Sequence, residues 1–214
     1  MRKKIGYLAY CIFYWVRTRI FGEDIPFIGG MVINERCNLN CRQCRVGNKL
    51  GDDLSYKDVL NGLQEFYRLG IRSVFIEGGE PFLWKDNNYR IEDIVSQSRK
   101  IGLKTISIYT NGTFQIETTA DVVFVSLDGL KKTNNYLRGN VFDRVIQNIK
   151  SSCHPNINVN FTINRINQKE IEPFCQYISN IKQVKGIFFY FHTPYYGIDD
   201  LFLDMGVVSI LRKI

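Results

Sequence analysis

The chain has 214 residues, 45% apolar and 23% charged, with a formal net charge of +7. Those proportions exclude wholesale disorder, and the length suits one domain with a sizeable core. The basic balance admits anionic partners such as nucleic acid, anionic lipid or phosphorylated substrates, without choosing among them. Lys and Arg are spread along the chain, as on a solvated surface, and no nucleic-acid recognition module is present. Three of the six cysteines crowd between Cys37 and Cys44, while Cys11, Cys153 and Cys175 are scattered. A secreted disulfide scaffold would be shorter and more evenly cysteine-rich; this clustering points to metal in a reducing compartment, hence the cytoplasm.

In chain order, Met1–Lys4 is basic, Ile5–Val16 is apolar and aromatic, and Arg17 and Arg19 follow. The apolar run is shorter than the roughly 20 residues a bilayer span needs. No small-residue cleavage site follows it, so it is not a signal peptide. Residues 1–24 are therefore read as an N-terminal helix and residues 25–214 as the core domain. Two readings of that helix stand: it lies on a membrane surface, with aromatics in the interface and Lys/Arg near headgroups, or it packs against the domain.

Strands are expected at Phe27–Asn34, Ile71–Ile76, Thr105–Tyr109, Asp121–Leu127, Asn158–Ile163 and Gly186–Phe191. Helices are expected at Ser55–Leu69, capped by Ser55, and at Ile91–Ile101, Val141–Ser151 and Gln168–Ile181. The remainder, to Ile214, has room to begin one more helix. Strands separated by helices imply βαβ units and a mostly parallel sheet, an α/β class. The wholly apolar centres of Val122–Val125 and Ile187–Tyr190 suit strands covered on both faces. An open partial barrel and a doubly wound sheet both fit, and in either one ligands gather at the C-terminal ends of the strands.

Cys37-Asn38-Leu39-Asn40-Cys41-Arg42-Gln43-Cys44 follows the first strand directly, on a polar loop at that end. Three thiolates can hold three irons of a cubane cluster, leaving the fourth iron open to an exogenous ligand; a full protein set would be four. Zinc would want four Cys/His ligands, usually in paired halves. The only histidines are His154 and His192, and no second Cys-x-x-Cys exists.

This spacing, just after strand one, resembles the radical S-adenosylmethionine (radical SAM) superfamily. The resemblance implies a partial (β/α)6 TIM-like barrel of parallel strands with an extra N-terminal helix. It implies a [4Fe–4S] cluster on Cys37, Cys41 and Cys44, with S-adenosylmethionine (SAM) chelating the open iron. Reduction would then cleave SAM to methionine and a 5′-deoxyadenosyl radical that attacks the substrate, the protein supplying position and shielding. Many members carry an aromatic residue before the third cysteine; here it is Gln43.

Further elements follow in the family's order. Gly78-Gly79-Glu80-Pro81 resembles the element whose backbone and Glu bind the SAM amino group; glycines permit close backbone approach. By the same resemblance Asn111, in Tyr109-Thr110-Asn111-Gly112, faces SAM, although Asn-Gly is also a plain turn signal. Ser126-Leu127-Asp128-Gly129 resembles the SLDG element of a subgroup that includes peptide-maturing enzymes and the molybdenum-cofactor cyclase. There Ser126 and Arg138 are expected on the ribose or carboxylate side of SAM, while Asp128 binds the cofactor or bonds its own turn. Asn164 is placed near adenosine by analogy. His192 is a candidate to hydrogen-bond SAM or substrate or to relay a proton; Tyr195 and Tyr196 are candidates to line the substrate pocket or quench a substrate radical.

Cys153 and Cys175 fall on expected helices as core thiols, so no auxiliary cluster is expected in this chain. Three substrate classes remain open. The basic-aromatic N-terminus and the layout of motifs resemble members that modify hopanoid or other isoprenoid lipids, with peripheral membrane contact. The SLDG-like element suits peptide or protein modification. A non-catalytic cluster-binding scaffold is the third. An enzyme of this kind implies a reducing partner such as flavodoxin or ferredoxin and a small-molecule, lipid or peptide substrate.

Overall fold

The computed structural model describes residues 2–44, 46–47, 51–193, 201 and 203, with side chains from residue 8 onward. Tyr195, Tyr196 and the expected C-terminal helix lie outside the described residues. The elements are α1 (Arg2–Arg19), β1 (Ile28–Val32), α2 (Tyr56–Arg68), β2 (Ser73–Glu77), α3 (Ile91–Ile101), β3 (Thr105–Thr110), β4 (Val122–Ser126), α4 (Lys131–Arg138), α5 (Phe142–Ser151), β5 (Ile157–Ile163), α6 (Ile171–Ser179) and β6 (Val184–Phe191). Single 3₁₀ turns sit at Pro81–Leu83 and Gln168–Glu170.

The six strands form one parallel sheet in strict sequence order, β1 to β6. A doubly wound sheet would reverse its order at a switch point. Right-handed crossovers that never reverse keep every helix on one side, and the sheet curls into a partial barrel. Its outer face is the core. Val59, Leu63, Ile76, Ile94 and Ile106 fill one half, and Val125, Ile149, Val159, Phe161 and Phe174 the other. Each such side chain contributes roughly 1.5–3 kcal/mol of burial.

Local signals explain the helices. Ser55 caps α2 by accepting the Asp58 amide at 3.1 Å. In α3, Ile91, Ile94, Val95 and Ser98 repeat at helical spacing and are buried, and Gly102 closes the helix in the left-handed region at φ 109°. Two elements escape a periodicity reading. Helix α4 buries only Asn134 and Leu137, so it has almost no apolar stripe to register. It is held by side chains instead: Asn134 Oδ1 accepts the Asp128 amide at 3.0 Å, and Thr133 Oγ1 donates to Glu170 at 2.5 Å. The Pro81–Leu83 turn starts on proline and is capped by the Glu80 side chain. Helix α5 ends at Ser151, and extended Ser152 turns the chain away, which leaves Cys153 exposed in a loop rather than in the core. Cys175 packs partly buried against the core, as expected.

Helix α1 packs by one face. Tyr14 donates to the Ile25 carbonyl at 2.9 Å and meets Phe27 edge-on, while Tyr10 reaches the Gly70 carbonyl. Leu8 (62% exposed), Ile12 and Trp15 (58% each) point away. Among the described residues no helix is long and apolar enough to cross a membrane.

Candidate active site

The loop after β1 and the turn after β2 are bonded together at the C-terminal end of the sheet. The Gly79 amide donates to the Asn34 carbonyl and the Glu80 amide to the Arg36 carbonyl, each at 2.8 Å. The Asn34 Nδ2 donates to the Glu80 carbonyl at 2.9 Å. A Cβ on Gly78 would collide with Asn34, and one on Gly79 with the carbonyl of Arg36. These glycines are demanded by loop-on-loop packing, a backbone requirement that exists before any ligand arrives.

Glu80 is 0% exposed. Its Oε1 accepts the Phe82 amide at 3.1 Å and the Thr110 hydroxyl at 2.8 Å, and its Oε2 accepts the Asn111 amide at 2.7 Å. Burial pushes this carboxyl up from its ordinary value, against the downward pull of those three donors. The carboxylate expected to meet a ligand amino group ties the end of β2 to the end of β3. Asn111, positioned by it, donates from Nδ2 to Asn38 Oδ1 at 2.8 Å and toward Cys37 Sγ at 3.7 Å.

Above this floor lies a cavity of about 630 Å³. Cys37, Cys41 and Cys44 share its wall with Gly78, Gly79, Asn111, Ser126, Arg138 and His192. Nine sequence-expected residues thus come together. Glu80, Pro81, Asp128 and Asn164 do not reach the wall. Pro81 is buried as the first residue of its 3₁₀ turn. Asn164 is consumed by its own turn, where its Oδ1 accepts the Ile166 amide at 2.9 Å. Asp128 is 0% exposed and works from beneath. Its Oδ2 accepts from Arg138 Nε and Gln43 Nε2, each at 2.5 Å, and its Oδ1 accepts the Thr162 amide at 2.8 Å. It is a positioning residue for two wall residues.

The electrostatics follow from burial. Cys41 is pushed up to about 11 by burial, with Arg138 pulling the other way; Cys37 is raised mainly by burial as well. Burial works against the Arg138 charge, but Asp128 and Cys41 hold it on. The cysteines sense one another: Cys44 and Cys37 both act on Cys41. Among the described residues, no three His, Cys, Asp or Glu side chains converge as a single metal ion would require.

Among the described residues, three buried polar atoms on this wall have no hydrogen-bond partner: Gln43 Oε1, Asn160 Oδ1 and His192 Nε2. Each unpaired atom costs about 1–3 kcal/mol, so their gathering around one cavity calls for a polar occupant. His192 is 7% exposed, and its amide donates to the Ile163 carbonyl at 2.8 Å, which holds the ring at the end of β5 and β6.

Sequence reading missed part of the wall: Glu77, Tyr109, Thr110, Asn160, Thr162 and Tyr190. Most lie on the inner face, where strand residues alternate with the apolar outer set. That alternation was visible in Asn158–Ile163. Its partners in the other strands are set by register alone.

A family model described as the radical SAM superfamily matches residues 31–178. A probable GTP 3′,8-cyclase of Saccharolobus islandicus (strain M.14.25 / Kamchatka #1) is 32% identical over 160 residues, covering 68% of this chain and 50% of that protein. The chain thus spans about half the length of the curated relatives it matches first. In fold it resembles SuiB of Streptococcus suis bound to the precursor peptide SuiA, with a TM-score of 0.72 at 18% identity, over 88% of this chain and 45% of that one. It also resembles anSMEcpe with bound AdoMet and Kp18Cys peptide, with a TM-score of 0.69 at 18% identity, over 88% and 59%.

Proposed function

The chain belongs to the radical SAM superfamily of enzymes, and from that premise we propose that Cys37, Cys41 and Cys44 hold a [4Fe–4S] cluster and that the cavity beside them takes SAM. Held by Cys37, Cys41 and Cys44, such a cluster would supply, when reduced, the electron for cleavage of SAM to methionine and a 5′-deoxyadenosyl radical, the oxidant for the substrate. The observation that carries this reading is the meeting of three cysteines and three unpartnered buried polar atoms on one wall.

The chain's own residues then have distinct tasks. Arg138, its Nε committed to Asp128, keeps its terminal nitrogens for a carboxylate. Gln43, oriented by the same Asp128, offers Oε1 as an acceptor. Asn160 Oδ1, on β5, and His192 Nε2, just after β6, lie on the same wall. Residues 25–214 act as the catalytic core and residues 1–24 as an appendage.

The substrate is a peptide or protein. SuiB and anSMEcpe, which share this fold, are seen with peptides bound. Transfer of the cyclase's GTP is disfavoured by charge: the described wall carries a single cation, Arg138, against a triphosphate, and Glu77 adds a negative charge. One observation favours a second reading, an isoprenoid-lipid substrate met at a membrane: the outward Leu8, Ile12 and Trp15 of α1, flanked by Arg17 and Arg19. Flotation with anionic vesicles tests it, and a protein that stays with the soluble fraction rules it out.

The main reading is tested by anaerobic reconstitution, iron and sulfide counting, and reduction in the presence of SAM. Cluster assembly with release of 5′-deoxyadenosine is expected. Assembly without release would leave a non-catalytic scaffold.

A further inference from the structure

The cavity has two chemically different ends. The cysteine end is polar. The other end is the inner face of the curled sheet, walled by Phe75, Tyr109 and Tyr190. The Phe75 and Tyr109 rings meet edge-on at 5.6 Å, and Tyr109 stacks on Phe124 at 4.6 Å and 15°. The Tyr109 and Tyr190 hydroxyls share one hydrogen bond at 3.0 Å, which ties the two rings together. On β1, a Cβ at Gly30 would strike the Phe75 ring, so that glycine leaves Phe75 its place in the lumen.

Into this aromatic lumen β2 sends one carboxylate, Glu77. Its register partner is Val32, and it follows the Ile76–Ile108 pair, which sets it beside Tyr109. It is half-buried, and among the described residues it has neither a salt bridge nor a side-chain hydrogen bond. It is also the one acidic residue on the described wall. Even half-burial costs an unpaired carboxylate part of its hydration, and burial pushes this one up from its usual range. A cation brought against it would relieve that cost. A divalent metal is a poor occupant, since no acidic, His or Cys cluster of three surrounds it among the described residues. An organic cation suits both the carboxylate and the ring faces.

We propose that the lumen holds the cationic side chain of a peptide substrate, a lysine ammonium or arginine guanidinium, with Glu77 as its counter-ion and Phe75 and Tyr109 packing along its stem. This rests on the reading of the cavity as the site of a peptide-modifying enzyme. It makes Glu77 a specificity residue that selects which part of the substrate is presented to the cysteine end.

The test uses the full reconstituted chain, with and without SAM. Binding of N-acetyl-lysine methylamide and N-acetyl-arginine methylamide is compared with that of the norleucine and glutamate analogues by saturation-transfer NMR. The cationic probes should bind about tenfold more tightly than norleucine, the effect of roughly 1.4 kcal/mol of pairing. Glu77→Gln should shrink that preference to within about twofold, and Tyr109→Leu should weaken lysine and norleucine probes alike. Equal binding of charged and neutral probes to the wild type overturns the proposal. So does a Glu77→Gln protein that keeps the preference, or one whose defect is confined to SAM affinity, which would assign Glu77 to the cofactor. Release of 5′-deoxyadenosine by the wild type is read in the same samples. Its absence would defeat the radical-enzyme reading while leaving the cation preference to be judged by itself.

Discussion

Replacing Glu80 with Gln separates a structural carboxylate from a ligand-binding one. In the wild type two oxygens receive three donors, from Phe82, Thr110 and Asn111. Glutamine keeps one oxygen for Phe82 and Thr110 but turns an NH2 toward the Asn111 amide, donor against donor, where 2.7 Å now separates donor and acceptor. Losing that bond and stranding a buried N–H costs about 2–3 kcal/mol. For a chain of this size that lowers Tm by roughly 5–10 °C. Glu80→Ala strands all three donors and should cost about 4 kcal/mol or more. Urea unfolding followed by circular dichroism reads the midpoints, and SAM binding is measured on the same proteins. The pH dependence adds a sign. Burial holds the native carboxyl above its ordinary 4.5, so the folded state keeps the proton where the unfolded chain has lost it. Stability from this group is therefore greatest at low pH and falls as pH rises from about 4.5. Glu80→Gln has nothing to titrate and should flatten that slope. A variant with a wild-type midpoint and a selective loss of SAM affinity would refute the reasoning, because the side chain would then be serving the ligand.

Three other perturbations probe the same architecture. Asp128→Asn strands the buried Arg138 charge and should cost about 3–5 kcal/mol in urea unfolding; adding Arg138→Leu should recover part of it, and no recovery would mean the pair is not the cause. Gly79→Ala drives a Cβ into the Arg36 carbonyl, which is backbone and cannot swing aside, so a loss of about 1–3 kcal/mol is expected; an unchanged midpoint would show that the two loops are not packed as described. Cys41→Ala should take reconstituted iron from about four per chain to near zero; retention of the full complement would remove Cys41 from the ligand set.

Much of this was readable along the chain. The triplet Cys37, Cys41, Cys44 and the Gly78–Pro81 run are local patterns, and the strand-helix alternation fell within about two residues at most element ends because apolar periodicity records which face is buried. Helix α4 was missed for the same reason, since it buries little and is held by Asn134 and Thr133.

Motif residues adjacent in sequence also parted company in space. Gly78 and Gly79 line the cavity while Glu80 and Pro81 lie under it; Ser126 faces it while Asp128 holds Arg138 and Gln43 from below. Sequence by itself determined the chemistry available, three thiolates on one loop at the ligand end of a βα-repeating chain. Only the tertiary structure decided which neighbours touch a ligand and which brace it, and it alone set Glu77 beside Tyr109. The physical reason is that side-chain direction in a curled sheet depends on the register between strands distant in sequence, and no local pattern carries that register.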